Sequence, residues 1–540
     1  MRRVKERIMF ARYHGEPITP KAAEALPKTL ALNGPSVGYI FADLAADPAS
    51  RLPEGSATIS ALKAIGVAMA NDPSNENSAI PAAYTYFGQF IDHDITKTEL
   101  DSSVVGSDGG DILKDPDFSP LSADEVAKLV RNVRSPILDL DSLYEGLAGE
   151  AQTPDGRMVI GEVTPVTFGP IKTAEKTHDL PRRPMIPNPR PDELELDRQA
   201  LIGDPRNDEN LLVAQLHVGF LRSHNALMDK GAKGADARVA IRRRYQWAVL
   251  HDFLPRVCDR TTVDDVLANG PKFWKVADKK DLFMPLEFSA AAYRFGHSMI
   301  RQEYSHNATF NPQATRATFN LLFTFTALSG SISPGDGTDG APQSPTLPDN
   351  WIIEWPRFFS PAGQPDQPGL NPARRIDTHL APELGKLPDI VGREIEGLLG
   401  ELAARNLLRG YLFALPCGQA IATKLGVQPL ARETIAAALP PDAAKEAEAA
   451  GLLERTPLWF YMLAEAGAPK PGPDGQHLGP VGSRIVAETL WTLVEHAPDS
   501  VIKVTPSAEE LASGEFTLKG LIRLGQDQGM EPIPTDEAGV

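Results

Sequence analysis

One short stretch, residues 84–96, constrains the fold more than any other part of the chain. It is aromatic and apolar except for a few polar residues, chiefly Gln89, Asp92, His93 and Asp94. On a helix neighbouring side chains are about 100° apart, so the first three share one face and Asp94 points away from it. Polar groups buried in an apolar segment cost free energy unless each has a partner. The stretch therefore predicts a helix with a ligand on one side and an ion on the other.

Helical periodicity recurs along most of the chain, whereas strand signals are few. In segment 235–257 the side chains of Trp247, Leu250 and Phe253 are expected to face inward. No internal repeat is visible, and no linker separates two cores. The sequence therefore predicts a mainly α fold, a single large domain with few short strands. The further segments that we expect to be helices are 207–229, 288–300, 388–409, 431–453, 457–466 and 480–497.

Other parts of the chain lack a sustained period and are rich in turn-forming residues. The first 75 residues mix Pro and Gly with short apolar pieces, so we expect 1–75 to be an arm that wraps the body. The body is then 76–540. Pro, Gly, Ser, Asp and Thr are frequent in three further segments, which we expect to be loops or irregular connections: 101–120, 151–190 and 329–350.

Composition and charge exclude several classes of protein. Charged residues at 23% and hydrophobic residues at 42% are ordinary for a soluble globular protein. The formal net charge of −17 argues against nucleic acid or an anionic membrane as the main partner. No run approaches the roughly 18 apolar residues of a membrane span. The basic start is followed by only four apolar residues, so we expect no signal peptide of the usual form, and a cytoplasmic protein or one exported by another route.

Two of the eleven histidines combine with their neighbours in a way that indicates chemistry. The imidazole of His93 titrates near neutral pH and can move a proton between two oxygens, with Gln89 one turn earlier. His297 has no acidic or cysteine ligands near it in sequence, which disfavours zinc and favours the single axial ligand that a haem iron needs. Arg294, three residues earlier, suits a haem propionate. Taken alone, each histidine is more often a packed core residue.

Other candidate ligands have plainer interpretations. His217 and His224 are seven residues apart, too far for one ion, so we expect them to pack or hydrogen-bond. The only two cysteines, Cys258 and Cys417, form no disulfide framework and are expected to be structural thiols.

Segment 135–144 carries oxygen-bearing side chains at alternate positions, which would line one side of an extended strand. Hard cations take six to eight oxygen ligands, so the segment indicates either a calcium loop or a polar surface strand.

Read together and in order, these segments resemble the animal-type haem peroxidases of the peroxidase–cyclooxygenase superfamily. Within that superfamily they resemble a myeloperoxidase-like member of bacterial type. The resemblance runs from about residue 80 to 500 and implies an animal-type haem peroxidase domain. Five motifs carry it: Phe87-Gly88-Gln89 with Asp92-His93-Asp94; Ser135–Asp141; Gly203-Asp204-Pro205-Arg206 with Leu216-His217 and Phe220–Asn225; Tyr293–His297; and Asn406–Gly410.

The resemblance implies a role for each matched residue. The distal catalytic group would be Gln89, His93 and Arg206, and His297 would be the axial ligand of haem b. Asn406 would accept a hydrogen bond from the other ring nitrogen of His297. Haem propionates would be held by Arg294 and Arg409, and Asp92 and Glu209 match carboxylates that form ester bonds to haem in several members. Calcium would be bound by Asp94, Ser135, the carbonyl of Ile137, Asp139 and Asp141.

Three positions depart from the family pattern. Asn210 stands where strong halide oxidisers carry a methionine that links to haem through a sulfonium, so that link is absent. Asp141 stands where many animal members have serine. Arg294 stands where fatty-acid oxygenating relatives place a radical tyrosine.

The resemblance implies an enzyme that reduces hydrogen peroxide through a ferryl intermediate and oxidises small organic donors or halides. Two alternatives remain open. One is a fatty-acid dioxygenase on the same scaffold. The other is a non-catalytic adhesion protein that binds calcium and haem without turnover.

Overall fold

The computed structural model of the chain is mainly helical, as predicted. It describes residues 34–70, 76–101, 118–165, 176–186, 190, 193, 196–312, 315–324, 346–359, 369–386 and 400–525. The predicted loops at 101–120 and 329–350, and the first half of the predicted 388–409 helix, lie largely outside the described residues. Among the described helices, none is both long enough and apolar enough to cross a membrane.

The helices account for most of the described core. The α-helices are α1 (Ala42–Ala46), α2 (Ser56–Met69), α3 (Ala83–Ile95), α4 (Ala123–Leu129), α5 (Asp141–Tyr144), α6 (Leu211–Asp229), α7 (Gly234–Ala248), α8 (Leu254–Val257), α9 (Arg260–Asn269), α10 (Leu286–Ser289), α11 (Phe319–Thr324), α12 (Leu402–Leu412), α13 (Gly418–Leu425), α14 (Arg432–Ala437), α15 (Pro441–Ala449), α16 (Leu458–Gly467), α17 (Pro480–Glu495), α18 (Ala508–Ala512) and α19 (Leu518–Leu524). A π-helical stretch, Val249–Phe253, joins α7 to α8. Short 3₁₀ segments are Pro48–Ser50, Gly146–Ala151, Pro205–Asp208, Lys279–Asp281, Ala292–Met299, Asp349–Trp351, Trp355–Phe358 and Pro382–Gly385.

The described strands are short and form only two-stranded pairs, which confirms the expectation of few strands. One pair, β1 with β7, is parallel and the other four are antiparallel. The strands are β1 (Val37–Gly38), β2 (Asn77–Pro81), β3 (Thr98–Leu100), β4 (Val130–Asn132), β5 (Gly161–Glu162), β6 (Thr177–Asp179), β7 (Met284–Pro285), β8 (Glu303–Tyr304), β9 (Ala317–Thr318) and β10 (Pro372–Arg374).

Helix α3 is the helix predicted for the stretch 84–96, and it runs through the centre of the core. The ring of Phe90 stacks on that of Phe220 in α6, with centroids 4.7 Å apart. At Gly88 the helix approaches Phe253 so closely that an added Cβ would lie 3.3 Å from the ring. Residues at helical spacing thus bury one side of α3 against α6 and the π-helical stretch, and this packing fixes where its polar side chains point.

Several predicted helices differ in detail from the structure. The predicted 288–300 helix is two pieces, α10 and the 3₁₀ segment 292–299, because Ala291 has φ −137° and ψ −73° and interrupts the helix. Pro440 and Pro441 divide the predicted 431–453 helix into α14 and α15. In the predicted 235–257 helix Leu250 and Phe253 are buried as expected, but Trp247 is only half-buried.

The described part of the expected arm contains a packed helix that periodicity did not indicate. In α2 the residues at Ile59, Leu62 and Ile65 are buried in the core. Gly66 lies so close to α12 that an added Cβ would be 2.4 Å from the backbone nitrogen of Ala404. The division into 1–75 and 76–540 stays a prediction, since 1–33 and 71–75 lie outside the described residues.

The start of the described chain is tied to the body by one buried carboxylate. Glu287 in α10 accepts the backbone N–H groups of Ile40 and Phe41, at 3.1 and 3.0 Å. Burial raises the pKa of Glu287 to about 7, although both hydrogen bonds oppose the shift.

This carboxylate predicts a pH-dependent stability. The folded state holds a proton on Glu287 that the unfolded chain releases near its ordinary pKa, so stability falls as pH rises from about 4.5 to 7. The loss is of the order of 3 kcal/mol. Glu287→Gln should therefore show a smaller drop in thermal unfolding temperature between pH 5 and pH 8 than the wild type. An equal drop in both proteins would assign the titration to other groups.

Candidate active site

A cavity opens between α3 and the 3₁₀ segment 292–299. The space between its walls, including the part that is open to solvent, is about 930 Å³. Most of the lining is apolar or aromatic, with a few polar side chains on opposite walls. The lining residues are Tyr84, Thr85, Tyr86, Gly88, Gln89, Asp92, Glu209, Phe253, Tyr293, Arg294, Phe295, Gly296, His297, Met299, Ile300, Phe319, Leu384, Leu402 and Arg405.

One wall presents His297. Its Nδ1 lies 3.0 Å from the Nδ2 atom of Asn406 in α12, so the predicted pair is brought together. The amide nitrogen of Asn406 faces the ring. Rotating the amide by 180° brings its oxygen, the predicted acceptor, to the same position. Burial, followed by the nearby charges of Arg294 and Arg409, lowers the pKa of His297 to about 3. The imidazole is therefore neutral and can offer a lone pair to a metal.

The opposite wall is a hydrogen-bonded set from α3 and the start of α6. The Nε2 of Gln89 donates to Oε1 of Glu209, and Nδ2 of Asn210 donates to Oε1 of Gln89 at 3.0 Å. Asn210 also caps α6 by accepting the N–H of Val213 at 3.0 Å. Burial and then the negative charges of Asp204 and Asp92 raise the pKa of Glu209 to about 8 despite Arg206.

His93 lies directly behind this wall and is fully buried. Its Nδ1 is 2.8 Å from Oδ1 of Asn207, an atom that can only accept, so the ring carries its proton on Nδ1. The Nε2 atom, left with its lone pair, lies 3.9 Å from Oε1 of Glu209, which does line the cavity. Burial and then the Arg206 guanidinium lower the pKa of His93 to about 3.

Arg206 is turned towards protein groups rather than towards the cavity. Its guanidinium donates to both oxygens of Asp204, at 3.0 and 2.8 Å. The same Nη2 donates to the carbonyls of His93 at 3.1 Å and Thr96 at 2.7 Å. Of the three residues predicted as the distal group, Gln89 lines the cavity, whereas His93 and Arg206 lie behind its lining. The reason is that Glu209 and Gln89 bond across the space in front of them.

On the far side of α3, three carboxylates meet. Asp94, Asp139 and Asp141 each place an oxygen within 4.8 Å of the others, and we call them the carboxylate cluster. Asp94 accepts the hydroxyl of Ser142 at 3.0 Å and that of Tyr245 at 3.2 Å.

The loop that carries the carboxylate cluster is neither extended nor a surface strand. Leu140 adopts a left-handed conformation, φ 58°, and starts α5, so the chain turns around the cluster. The other two predicted calcium residues, Ser135 and Ile137, are buried in the same loop, and the Ile137 carbonyl accepts the N–H of Asp139 at 3.0 Å.

Burial and mutual repulsion shape this cluster. Burial raises the pKa of Asp94, and burial followed by the charge of Asp94 raises the pKa of Asp139 to about 7. Two cations offset the repulsion. The Nη2 of the buried Arg134 donates to Asp141, and the charge of Arg242, whose Nε donates to the carbonyl of Asp139 at 2.9 Å, opposes the rise in the pKa of Asp139.

Comparison with known proteins agrees with this geometry. The family model for animal haem peroxidases matches residues 162–333, a segment that includes Arg206, Glu209, Arg294 and His297. Peroxidase A from Dictyostelium discoideum is similar in fold, with a TM-score of 0.56, 17% identity and coverage of 97% of this chain and 98% of that chain. Fatty acid alpha-dioxygenase from Oryza sativa is similar with a TM-score of 0.53, 13% identity and coverage of 97% and 87%. No curated protein matches the sequence.

Residues 162–333 therefore match the animal haem peroxidase family, and the chain as a whole has the fold of these two solved structures. Identities this low make the two solved structures a guide to the fold alone.

The cavity fits haem, the cofactor that the family match over residues 162–333 implies. A neutral imidazole faces it, held by an amide, which is the chemistry of an axial haem ligand. At Gly296, next to His297, an added Cβ would meet nothing within 4 Å, so there is room for a flat ring beside the imidazole. Arg294 and Arg405 bring two guanidinium groups to the lining, where propionates could be held.

Three residues of the site were missed by sequence reasoning. Arg405 lines the cavity, whereas the predicted Arg409 is not among the lining residues and its charge lowers the pKa of His297. Arg405 could have been predicted, because it lies one helical turn before Arg409 and therefore on the same face. Asn207 and Arg134 gave no signal, because their partners His93 and Asp141 are brought to them by the fold.

The remaining histidine and cysteine predictions are confirmed. His217 lies 3.1 Å from Asn207, and His224 lies 3.1 Å from the hydroxyl of Tyr144, so the two histidines have separate partners. Cys258 and Cys417 are both buried free thiols.

Asn210 gives a test of this wall that does not depend on the cofactor. Asn210→Ala removes the cap of α6 and should lower the free energy of unfolding by about 1 kcal/mol. Asn210→Ser keeps a capping oxygen but loses the donor to Gln89, so it should retain most of the stability. Thermal unfolding of both variants measures this. Equal losses would mean that the cap is not the stabilising contact.

Proposed function

We propose that the protein is a haem peroxidase that reduces hydrogen peroxide and oxidises small organic donors or halides. The observation that carries this is His297, neutral and held by Asn406, facing Gln89, Asp92 and Glu209 across one cavity. An axial ligand on one wall and proton-handling groups on the other are what a peroxide-reducing haem site needs.

Bound haem would supply the redox chemistry, and the chain would supply orientation, protons and charge. His297 would ligate the iron, with Arg294 and Arg405 at the propionates. Asp92 and Glu209 both line the cavity, and in this proposal they form ester bonds to the haem edge.

The distal residues would handle the proton of the peroxide. His93, with its proton on Nδ1, can accept the peroxide proton at Nε2 and return it to the departing oxygen. Asn207 holds the ring in this tautomer throughout. Arg206 would contribute a permanent positive charge from behind the lining, which would stabilise the negative charge that develops on the departing oxygen.

We also propose calcium at the carboxylate cluster. The three carboxylates outnumber the guanidinium groups beside them, those of Arg134 and Arg242, so a divalent cation would relieve their mutual repulsion. Carboxylate, hydroxyl and carbonyl oxygens are the ligands that calcium prefers. Since Asp94 follows His93 directly in α3, the ion would also fix the helix that carries the distal histidine.

The axial assignment predicts haem loss on substitution. His297→Ala should remove most of the bound haem, because the iron loses its only protein ligand, while His224→Ala should retain it. His224 is a matched control, being a buried histidine with partners away from the cavity. Haem content per chain is measured from the Soret band and the pyridine haemochrome. Equal content in the two variants would contradict the assignment.

The distal assignment predicts a slow reaction with peroxide. Arg206→Lys should retain haem but react with peroxide about 10²–10³-fold more slowly, because the planar charge is lost where the transition state needs it. Arg182→Lys is the control, since Arg182 is buried and paired with Asp179 and Asp208. Stopped-flow decay of the ferric Soret band gives the rate. A wild-type rate in Arg206→Lys would refute the role of this residue.

The calcium assignment predicts one ion per chain. Asp139→Asn should weaken calcium binding by about 10-fold or more, because it removes a charged ligand. Asp264→Asn, an exposed carboxylate paired with Arg260, should not change it. Metal analysis and calcium titration measure both, and purified wild-type protein that holds no calcium would rule the site out.

A fatty-acid dioxygenase is the second candidate function. It is favoured by the fold similarity to the Oryza sativa enzyme and by the apolar lining with Tyr293, whose buried hydroxyl has no hydrogen-bond partner among the described residues. Oxygen uptake with palmitic acid, compared with peroxide-dependent oxidation of guaiacol, separates the two functions. Bound haem with neither activity would favour the non-catalytic alternative.

A further inference from the structure

A continuous chain of buried charges joins Arg206 to the carboxylate cluster. Both oxygens of Asp204 accept from Arg206, and Oδ2 of Asp204 also lies 3.6 Å from Nη1 of Arg134. Arg134 in turn donates to Asp141. All four residues are at least nine-tenths buried. Two cations and two carboxylates therefore alternate through the core, from behind the distal wall to the cluster.

The backbone holds these two sites together. The N–H of Gly203 donates to the carbonyl of Ser142 at 2.9 Å. A Cβ at Gly203 would lie 2.4 Å from the carbonyl oxygen of Asp141, so only glycine allows this approach. The segment that carries Asp204 is thus fastened to the loop that carries the carboxylate cluster, and neither can move without the other.

Sharing one carboxylate makes the two guanidinium groups dependent on each other. Burial alone would raise the pKa of Asp204, but Arg206 and Arg134 hold it well below its ordinary value, so the carboxylate stays charged. In a buried site such interactions are weakly screened. A change in the strength of the interaction between Arg134 and Asp204 therefore alters the strength of the interaction between Asp204 and Arg206.

We propose that Asp204 is the positioning residue for Arg206, and that Arg134 couples its position to cation binding at the carboxylate cluster. The proposal rests on the proposed function. A divalent cation bound to Asp141 weakens the pairing of Asp141 with Arg134. Arg134 then interacts more strongly with Asp204. Arg206 is held less tightly and can turn its guanidinium towards the cavity. Cation binding therefore strengthens anion binding at the distal site.

Fluoride binding to the ferric haem protein tests this coupling without turnover. Its affinity is read from the Soret band, once with saturating calcium and once after chelation. We expect calcium to tighten fluoride binding by about 5-fold or more, a typical coupling between two sites. Linkage requires fluoride to tighten calcium binding by the same factor, which calcium titration checks independently. Arg206→Lys should weaken fluoride binding itself.

We call the buried charges that join the two sites the relay: Arg206, Asp204, Arg134 and Asp141. Variants of these residues distinguish coupling through the relay from direct electrostatic attraction through space. The coupling factor is the fluoride affinity with calcium divided by the affinity after chelation. Asp204→Asn and Arg134→Met should bring this factor close to one. Arg134→Lys keeps the charge but loses the planar guanidinium, so it should give an intermediate factor. Asp179→Asn is the control: it breaks a comparable buried pair with Arg182 but lies outside the relay, so the factor should stay at the wild-type value. A merely structural loss would lower the unfolding temperature of any of these without changing the ratio of affinities.

The outcomes are distinct. A protein with no Soret band fails the proposed function and this inference with it. Bound haem with a wild-type factor near one, or with no calcium bound, overturns the inference and leaves the peroxidase proposal standing. A wild-type factor that survives in Asp204→Asn overturns the relay as well, because the coupling then does not pass through that residue.

Discussion

The buried ion pair between Arg206 and Asp204 is the interaction on which the site depends. A guanidinium taken out of water costs several kcal/mol unless it is paired and hydrogen-bonded. Here Asp204 and the carbonyls of His93 and Thr96 use its donors together. The last two groups lie in and just after α3, so the pair fastens that helix to the 3₁₀ turn that precedes α6. Removing Asp204 would deprive the buried guanidinium of its carboxylate partner, which makes the geometry of the whole distal side hard to alter in small steps.

Helix α3 explains why the cavity and the carboxylate cluster are neighbours. His93 and Asp94 are adjacent in sequence and point to opposite sides, one towards Asn207 behind the cavity and one towards Ser142 and Tyr245. The extra carboxylate at Asp141 has its own compensation, because Arg134 pairs with it directly. Asp141 is thus paired with a buried cation seven residues earlier in the chain, which reduces the negative charge of the cluster.

Sequence reasoning predicted α3 well because its polar residues interrupt an otherwise apolar pattern at positions that a helix must sort onto faces. It predicted His297 and Asn406 through the resemblance, and the structure places the two residues 3.0 Å apart. It could not distinguish an α-helix from the 3₁₀ segment at 292–299, since both place Arg294 and His297 on one side. Leu140 was out of reach as well: a left-handed leucine has no signature in a pattern of alternating polarity. Arg134 and Asn207 are defined by partners far away in sequence, which only the fold identifies.

The charges of the distal wall indicate which group controls it near neutral pH. His93 has a pKa of about 3 and stays neutral through most of the acid range, so its readiness to accept a proton does not change around pH 7. Glu209 has a pKa of about 8 and sits between His93 and the cavity, bonded to Gln89. Where Glu209 is not esterified to haem, it gains a negative charge as pH rises through that value. This charge lies beside the nitrogen that accepts the peroxide proton in the proposed function, and it would stabilise the protonated imidazole. Because Glu209 also faces the cavity, the same ionisation would repel anionic donors and halides, so proton transfer and anion oxidation would respond to pH in opposite directions.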